Sequence, residues 1–264
     1  MQNSERNSPA APLLQSATLL SILAAIAINA ISNVSPLRGL NVGQIANQIL
    51  GGVLITPANY AFSIWGLIYL GLIAFGIYQV LPSQRYHPRL RKLRAPIIWA
   101  SVFQSIWVYL FQLQQFWLSV AFMFGILANL IAAYVWSRFQ TGRVSRQEKW
   151  LVKIPISIYL GWISVATIVN VASALYASNW DGFGIAPSVW TIVMVLIAAV
   201  ITGVIILRYQ DAAFTGVIVW AFVAVAMRQF AQTAILMTAI GSAIALLVLL
   251  LLRISRRQTN SLRG

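Results

Sequence analysis

Apolar runs of about twenty residues recur along the chain, and short stretches rich in proline, glycine and charge separate them. A run of that length matches the ~20 residues an α-helix needs to cross about 30 Å of hydrocarbon. The pattern predicts spans over 13–32, Tyr60 to Val80, Ala95 to Gln114, Phe116 to Ser137, Lys153 to Tyr176 and Pro187 to Leu207. The last apolar stretch, 212–252, would reach about 60 Å as one helix, twice the hydrocarbon thickness. It must fold back, and Arg228, Gln229 and Gln232 mark the turn, which makes eight spans. The first run is too long for a signal peptide, no basic cluster precedes it and no small-residue cleavage site ends it, so it reads as a retained helix. Between the first two spans, residues 33–58 hold Pro36, Gly39, Gly43, Gly51, Gly52 and Pro57, and GLNVGQIANQILGG predicts a short interfacial helix. The ends, 1–11 and 255–264, read as mobile.

Composition supports the bilayer. Of 264 residues, 60% are hydrophobic and 8% charged, against about 25% charged in soluble domains. The fold class is all-α, a polytopic transmembrane helical bundle. The net charge of +14 is not a nucleic-acid signature, because the cations sit where they orient helices and meet lipid head groups. One cluster is Arg85, Arg89, Arg91, Lys92 and Arg94; a second is Arg138, Arg143, Arg146, Lys149 and Lys153; a third is Arg253, Arg256, Arg257 and Arg263. With eight spans and a cytoplasmic N-terminus all three fall on the cytoplasmic face, whereas seven would strand the third. Arg38 and Arg228 alone fall outside. A multi-pass protein of a bacterial inner membrane, with both termini cytoplasmic, is the expected setting.

The absence of cysteine removes thiolate chemistry. His87, the one histidine, sits beside Pro88 in a basic stretch and reads as a surface residue rather than a metal ligand. Glu5, Glu148, Asp181 and Asp211 all lie outside the apolar runs, so no Ser-His-Asp set and no buried-carboxylate proton path can be assembled. Nucleotide motifs and a convincing internal repeat are missing too. The balance tilts away from an enzyme, and no cofactor is required.

What stands out is polar and aromatic residues inside the spans. In the fifth, Tyr159, Trp162, Ala166 and Asn170 recur every three to four residues and share a face. Asn170 needs a partner in hydrocarbon, so that face should look inward. Ser157 and Gly161 form a small-xxx-small pair that admits a close neighbour. The third span repeats the habit with Gln104, Trp107, Phe111 and Gln114, and the second with Phe62, Trp65, Tyr69 and Gly76. Facing one another, these stripes would line an apolar pocket with few hydrogen-bonding points, suited to a flat hydrophobic ligand. The same residues could equally be packing and helix-to-helix glue. Tyr60, Trp99, Trp117, Trp136, Trp150 and Trp180, near span ends, read as interfacial belts. Arg228 is either a turn residue or an anchor for a carboxylate, that of Asp181 or of an acidic ligand.

PISIYLGWISVATIVN, with Pro155, Trp162, Ala166, Thr167 and Asn170, resembles the fifth-helix signature of the translocator protein family, the tryptophan-rich sensory proteins or TspO/MBR family. PANYAFSIWGLIY resembles that family's second-helix start through Pro57, Tyr60, Phe62, Trp65 and Tyr69, without its Gly-Pro. QSIWVYLF is similar to its third helix through Trp107 and Phe111, without its Asn. The resemblance covers residues 12–178 and implies a five-helix transmembrane domain over 1–178, with 179–264 as a three-helix addition and basic tail. It implies a ligand pocket opening toward the first loop, and homodimers. It also implies ligands such as porphyrin, haem, sterols or drug-like molecules. By position, the ligand-binding residues would be Tyr60, Phe62, Trp65, Tyr69, Gln104, Trp107, Phe111, Tyr159, Trp162, Ala166 and Asn170. A sensor or receptor for a tetrapyrrole leads. A transporter of hydrophobic solutes, a light-dependent porphyrin-degrading enzyme and a structural membrane subunit are the alternatives.

Overall fold

The computed structural model describes residues 10–138 and 144–261. Residues 1–9, with Glu5, and the basic residues Arg143 and Arg263 lie outside the described residues, as does the side chain of Arg257. The chain is all-α, with no strand among the described residues. The helices are α1 (Ala10–Val34), α2 (Val42–Gln48), α3 (Ile64–Val80, entered through a 3-10 turn at Asn59–Ser63), α4 (Pro88–Gln112), α5 (Phe116–Arg138), α6 (Arg146–Ala177), α7 (Pro187–Tyr209), α8 (Ala212–Arg228) and α9 (Thr233–Ser261). Seven of them, all but α2 and α8, are long and apolar enough to cross a membrane. At 17 residues α8 is a shorter apolar helix, about 25 Å long and at the lower limit for spanning. The fold-back of residues 212–252 falls at the place expected, since α8 ends at Arg228 and α9 begins at Thr233.

Three boundaries differ most from the hydropathy reading. Helix α4 begins at Pro88 rather than Ala95, so Arg89, Arg91, Lys92 and Arg94 lie on its first two turns instead of in a loop. Proline at the first helical position is already in helical φ and lacks only an N–H that would be unpaired there. Helix α6 begins at Arg146, and a π-turn at Lys149–Lys153 absorbs an extra residue before the regular helix from Ile154. Residues 255–261 continue α9 instead of forming a loose end.

The chain divides into two compact units, one of Met1–Val42 and Trp65–Ile163, the other of Gly43–Ile64 and Ser164–Gly264. In the first, α4 packs along α1 and α5. Close approach decides two glycines of α3. A Cβ on Gly76 would lie 2.9 Å from Leu19 of α1, and one on Gly71 would lie 3.0 Å from Pro155 of α6. Gly76, placed in the aromatic stripe by its spacing, therefore serves the contact with α1. Buried amides join the same helices: Gln15 donates to the Gln79 carbonyl at 2.6 Å and Gln79 donates to the Gln15 carbonyl at 2.8 Å. Arg94, fully buried, donates to Gln79 Oε1 and to the carbonyls of Arg85 and Gln84. At the far end of α4, Gln112 donates to the Ser32 carbonyl at 2.6 Å.

The two basic clusters of the first unit meet. Arg89 and Glu148 form a buried ion pair at 2.7 Å, and Arg138, stacked over Tyr134, donates to Ser157 at 2.9 Å. His87 is half-buried rather than on the surface, because the first turn of α4 follows it directly and its carbonyl accepts from Arg91 N–H.

In the second unit α9 packs on α7 and α8. Gln210 ends α7 in the left-handed region, and Asp211 then caps α8 by accepting from Ala213 and Phe214 N–H. The segment of 43–64 is tied to α8 by several bonds. Ala58 N–H donates to the Ala224 carbonyl at 3.0 Å, Trp220 Nε1 to the Ala61 carbonyl at 3.2 Å, and Gln229 to the Leu54 carbonyl at 2.8 Å. At Gly52 a Cβ would fall 2.5 Å from the Tyr176 ring, so no larger residue fits without displacing it.

Candidate functional site

Helical spacing places the candidate side chains, and burial sorts them. Trp107, Phe111, Tyr159 and Trp162 are buried, as are the amides Gln104 and Asn170. Trp65, Tyr69, Phe62 and Ala166 are half-buried, and Tyr60 is 42% exposed. None of the three tryptophans Trp65, Trp107 and Trp162 stands fully exposed, in contrast to Trp99, Trp117 and Trp150, each more than half exposed at positions read as interfacial.

Seven of the candidates belong to the first unit: Trp65 and Tyr69 on α3, Gln104, Trp107 and Phe111 on α4, and Tyr159 and Trp162 on α6. The indole of Trp65 joins two helices, with its ring centroid 5.4 Å from that of Tyr69 and 6.1 Å from that of Tyr159. The α3–α6 contact at Gly71 and Pro155 sets these rings at stacking range. On α4, Trp107 lies 5.4 Å from Phe111, which meets Phe116 of α5 edge-on at 5.3 Å.

Two polar groups on these helices, one on α4 and one on α3, have no hydrogen-bond partner. Both the amide oxygen and the amide nitrogen of Gln104 are buried and unpaired, and so is the hydroxyl of Tyr69. Buried polar groups in native folds almost always find a partner, so such an exception calls for an explanation.

Tyr60, Phe62, Ala166 and Asn170 belong to the second unit. Tyr60 meets Trp220 of α8 edge-on at 5.1 Å. Trp220 was not singled out by its position in the sequence, because it sits mid-run in an apolar helix and only the fold shows what it touches. The buried hydroxyl of Thr56 is a second missed feature, also without a partner. Arg228 donates to Asn47 Oδ1 at 2.7 Å and to the Pro57 carbonyl. Asp181, one of the two partners considered for it, accepts instead from Phe183 N–H in its own turn.

An all-helical chain with this many long apolar helices is an integral, multi-pass membrane protein. The sequence profile of the TSPO-like protein family matches residues 15–252, and the chain belongs to that family. The match extends through α7, α8 and most of α9. Comparisons with curated proteins and with solved structures gave no match.

Proposed function

We propose that the protein is a membrane sensor or receptor that binds a flat hydrophobic molecule, a tetrapyrrole such as porphyrin or haem or a sterol-like compound, among α3, α4 and α6. The observation that carries this reading is the unpaired amide of Gln104, with the unpaired Tyr69 hydroxyl as its companion. Leaving a buried donor or acceptor unsatisfied costs about 1–3 kcal/mol, and a guest with matching groups removes that cost. Trp65, Trp107, Tyr159 and Trp162 supply the aromatic surface on which a flat ring system rests. The bacterial inner membrane, with both termini cytoplasmic, is the setting in which the basic helix ends obey the positive-inside rule.

Titration of purified protein with protoporphyrin, followed by tryptophan quenching, tests the proposal. Saturable quenching is expected, weakened about tenfold or more by Trp162→Ala combined with Trp65→Phe. Unchanged affinity in that variant removes the site.

A further inference from the structure

Arg228 is half-buried at the end of α8 and carries a charge that no carboxylate among the described residues balances. Glu148 is paired with Arg89. Of the remaining described acids, Asp181 closes its own turn and Asp211 caps the opposite end of α8. The partners Arg228 does have are neutral: Asn47 Oδ1 at 2.7 Å and the Pro57 carbonyl at 3.5 Å, both reached by one terminal nitrogen. Asn47 is itself held by bonds to Asn59 Oδ1 at 2.7 Å and to the Gly43 carbonyl at 2.6 Å. The guanidinium is thus oriented, with one nitrogen fixed against the segment 43–64 and its other N–H groups left over. The carbonyl end of α8 offsets only about half a charge. On either side Met227 and Phe230 are 58% and 71% exposed, an apolar surface in a helix pair built for hydrocarbon.

An oriented, unbalanced guanidinium flanked by exposed apolar side chains matches an acidic head on an apolar tail. The planar fork binds phosphate through two parallel bonds, while the chains lie against Met227 and Phe230. A charge next to hydrocarbon that lacks a counter-ion is costly, and marks a functional position. We infer that Arg228 anchors the phosphodiester of an anionic phospholipid at the turn between α8 and α9, with the acyl chains along Met227 and Phe230. The site lies at the opposite end of α9 from the basic residues Arg253 and Arg256, so it is separate from the head-group contacts those residues make.

A photoreactive benzoylphenylalanine in place of Phe230, in nanodiscs of phosphatidylcholine with a minority of phosphatidylglycerol, tests the inference by mass spectrometry of the crosslinked lipid. Phosphatidylglycerol should be captured well above its share of the bilayer. Arg228→Gln should lower that capture about tenfold, as expected for loss of charge-assisted bonds, and Arg228→Lys should restore part of it. Gln229→Ala, which removes a bond to the Leu54 carbonyl without touching the charge, should leave capture intact. Capture in proportion to bulk lipid, equal capture in Arg228→Gln, or an equal loss in Gln229→Ala overturns the inference. Complete displacement by added inorganic phosphate assigns the site to a soluble anion and overturns the lipid assignment.

Discussion

Gln104→Met removes the unpaired amide from the first unit while keeping the length and nearly the volume of the side chain, so no cavity opens. The wild-type side chain is 2% exposed, and neither its oxygen nor its nitrogen is paired. An unsatisfied buried group costs about 1–3 kcal/mol, and within a bilayer the lower part of that range applies because alternative partners exist in the unfolded reference. The ligand-free variant should therefore be more stable by about 1–2 kcal/mol. At about 2–4 °C per kcal/mol for a chain of this size, its thermal midpoint in detergent should rise by a few degrees. Affinity for protoporphyrin should move the opposite way, falling about tenfold as the bonds to the amide are lost. A thermal-shift assay without ligand and a quenching titration with it read the two effects separately. A lowered midpoint without ligand would mean that Gln104 is already satisfied in the folded protein, and the reasoning would fail even if binding weakened.

Other consequences follow from the packing. Glu148→Gln removes the carboxylate charge that faces the buried Arg89 and should cost about 3 kcal/mol, seen as a lower thermal midpoint; adding Arg89→Met should recover most of it in a double-mutant cycle. Arg94→Ala strips Gln79 Oε1 and the carbonyls of Arg85 and Gln84 of their donor and should destabilise by about 3 kcal/mol or more, enough to reduce the folded yield from membranes. Gly52→Ala drives a methyl group into Tyr176 and should cost about 1–3 kcal/mol, relieved when Tyr176→Ala is added, as the midpoints of the single and double variants will report.

The helices were legible because hydropathy needs no partner to be read: runs of about twenty apolar residues announced the spans, and Arg228 with Gln229 and Gln232 announced the last turn. Boundaries went astray where charge and helix coincide. Arg89 and Arg94 read as loop residues because charged side chains belong outside hydrocarbon, yet they are buried at the start of α4, with Glu148 and Gln79 as partners. Those partners lie 59 and 15 positions away in sequence, and no local pattern connects them. Gln15 and Gln79, amides within apolar runs, went unremarked in the sequence, although such amides commonly bond between helices. That they bond to each other's backbone depends on how α1 and α3 pack. On the candidate site, spacing placed Trp65, Tyr69 and Tyr159 on plausible faces, and the fold puts their rings in contact. It also moved Gly76 from that stripe to the α1 contact, because a position without a side chain is decided by its neighbour. The unpaired state of Gln104 was out of reach of sequence, since it depends on what every neighbouring helix fails to offer.

The central claim is that a tetrapyrrole rests among the aromatic side chains of α3, α4 and α6. Protoporphyrin generates short-lived oxidants under light, and these modify the aromatic residues beside it. Mass spectrometry of the illuminated complex should find Trp65, Trp107 and Trp162 oxidised ahead of the exposed Trp99, Trp117 and Trp150, a reversal of what solvent and lipid access alone would produce. Oxidation that simply follows exposure, with Trp107 and Trp162 spared, would contradict the account.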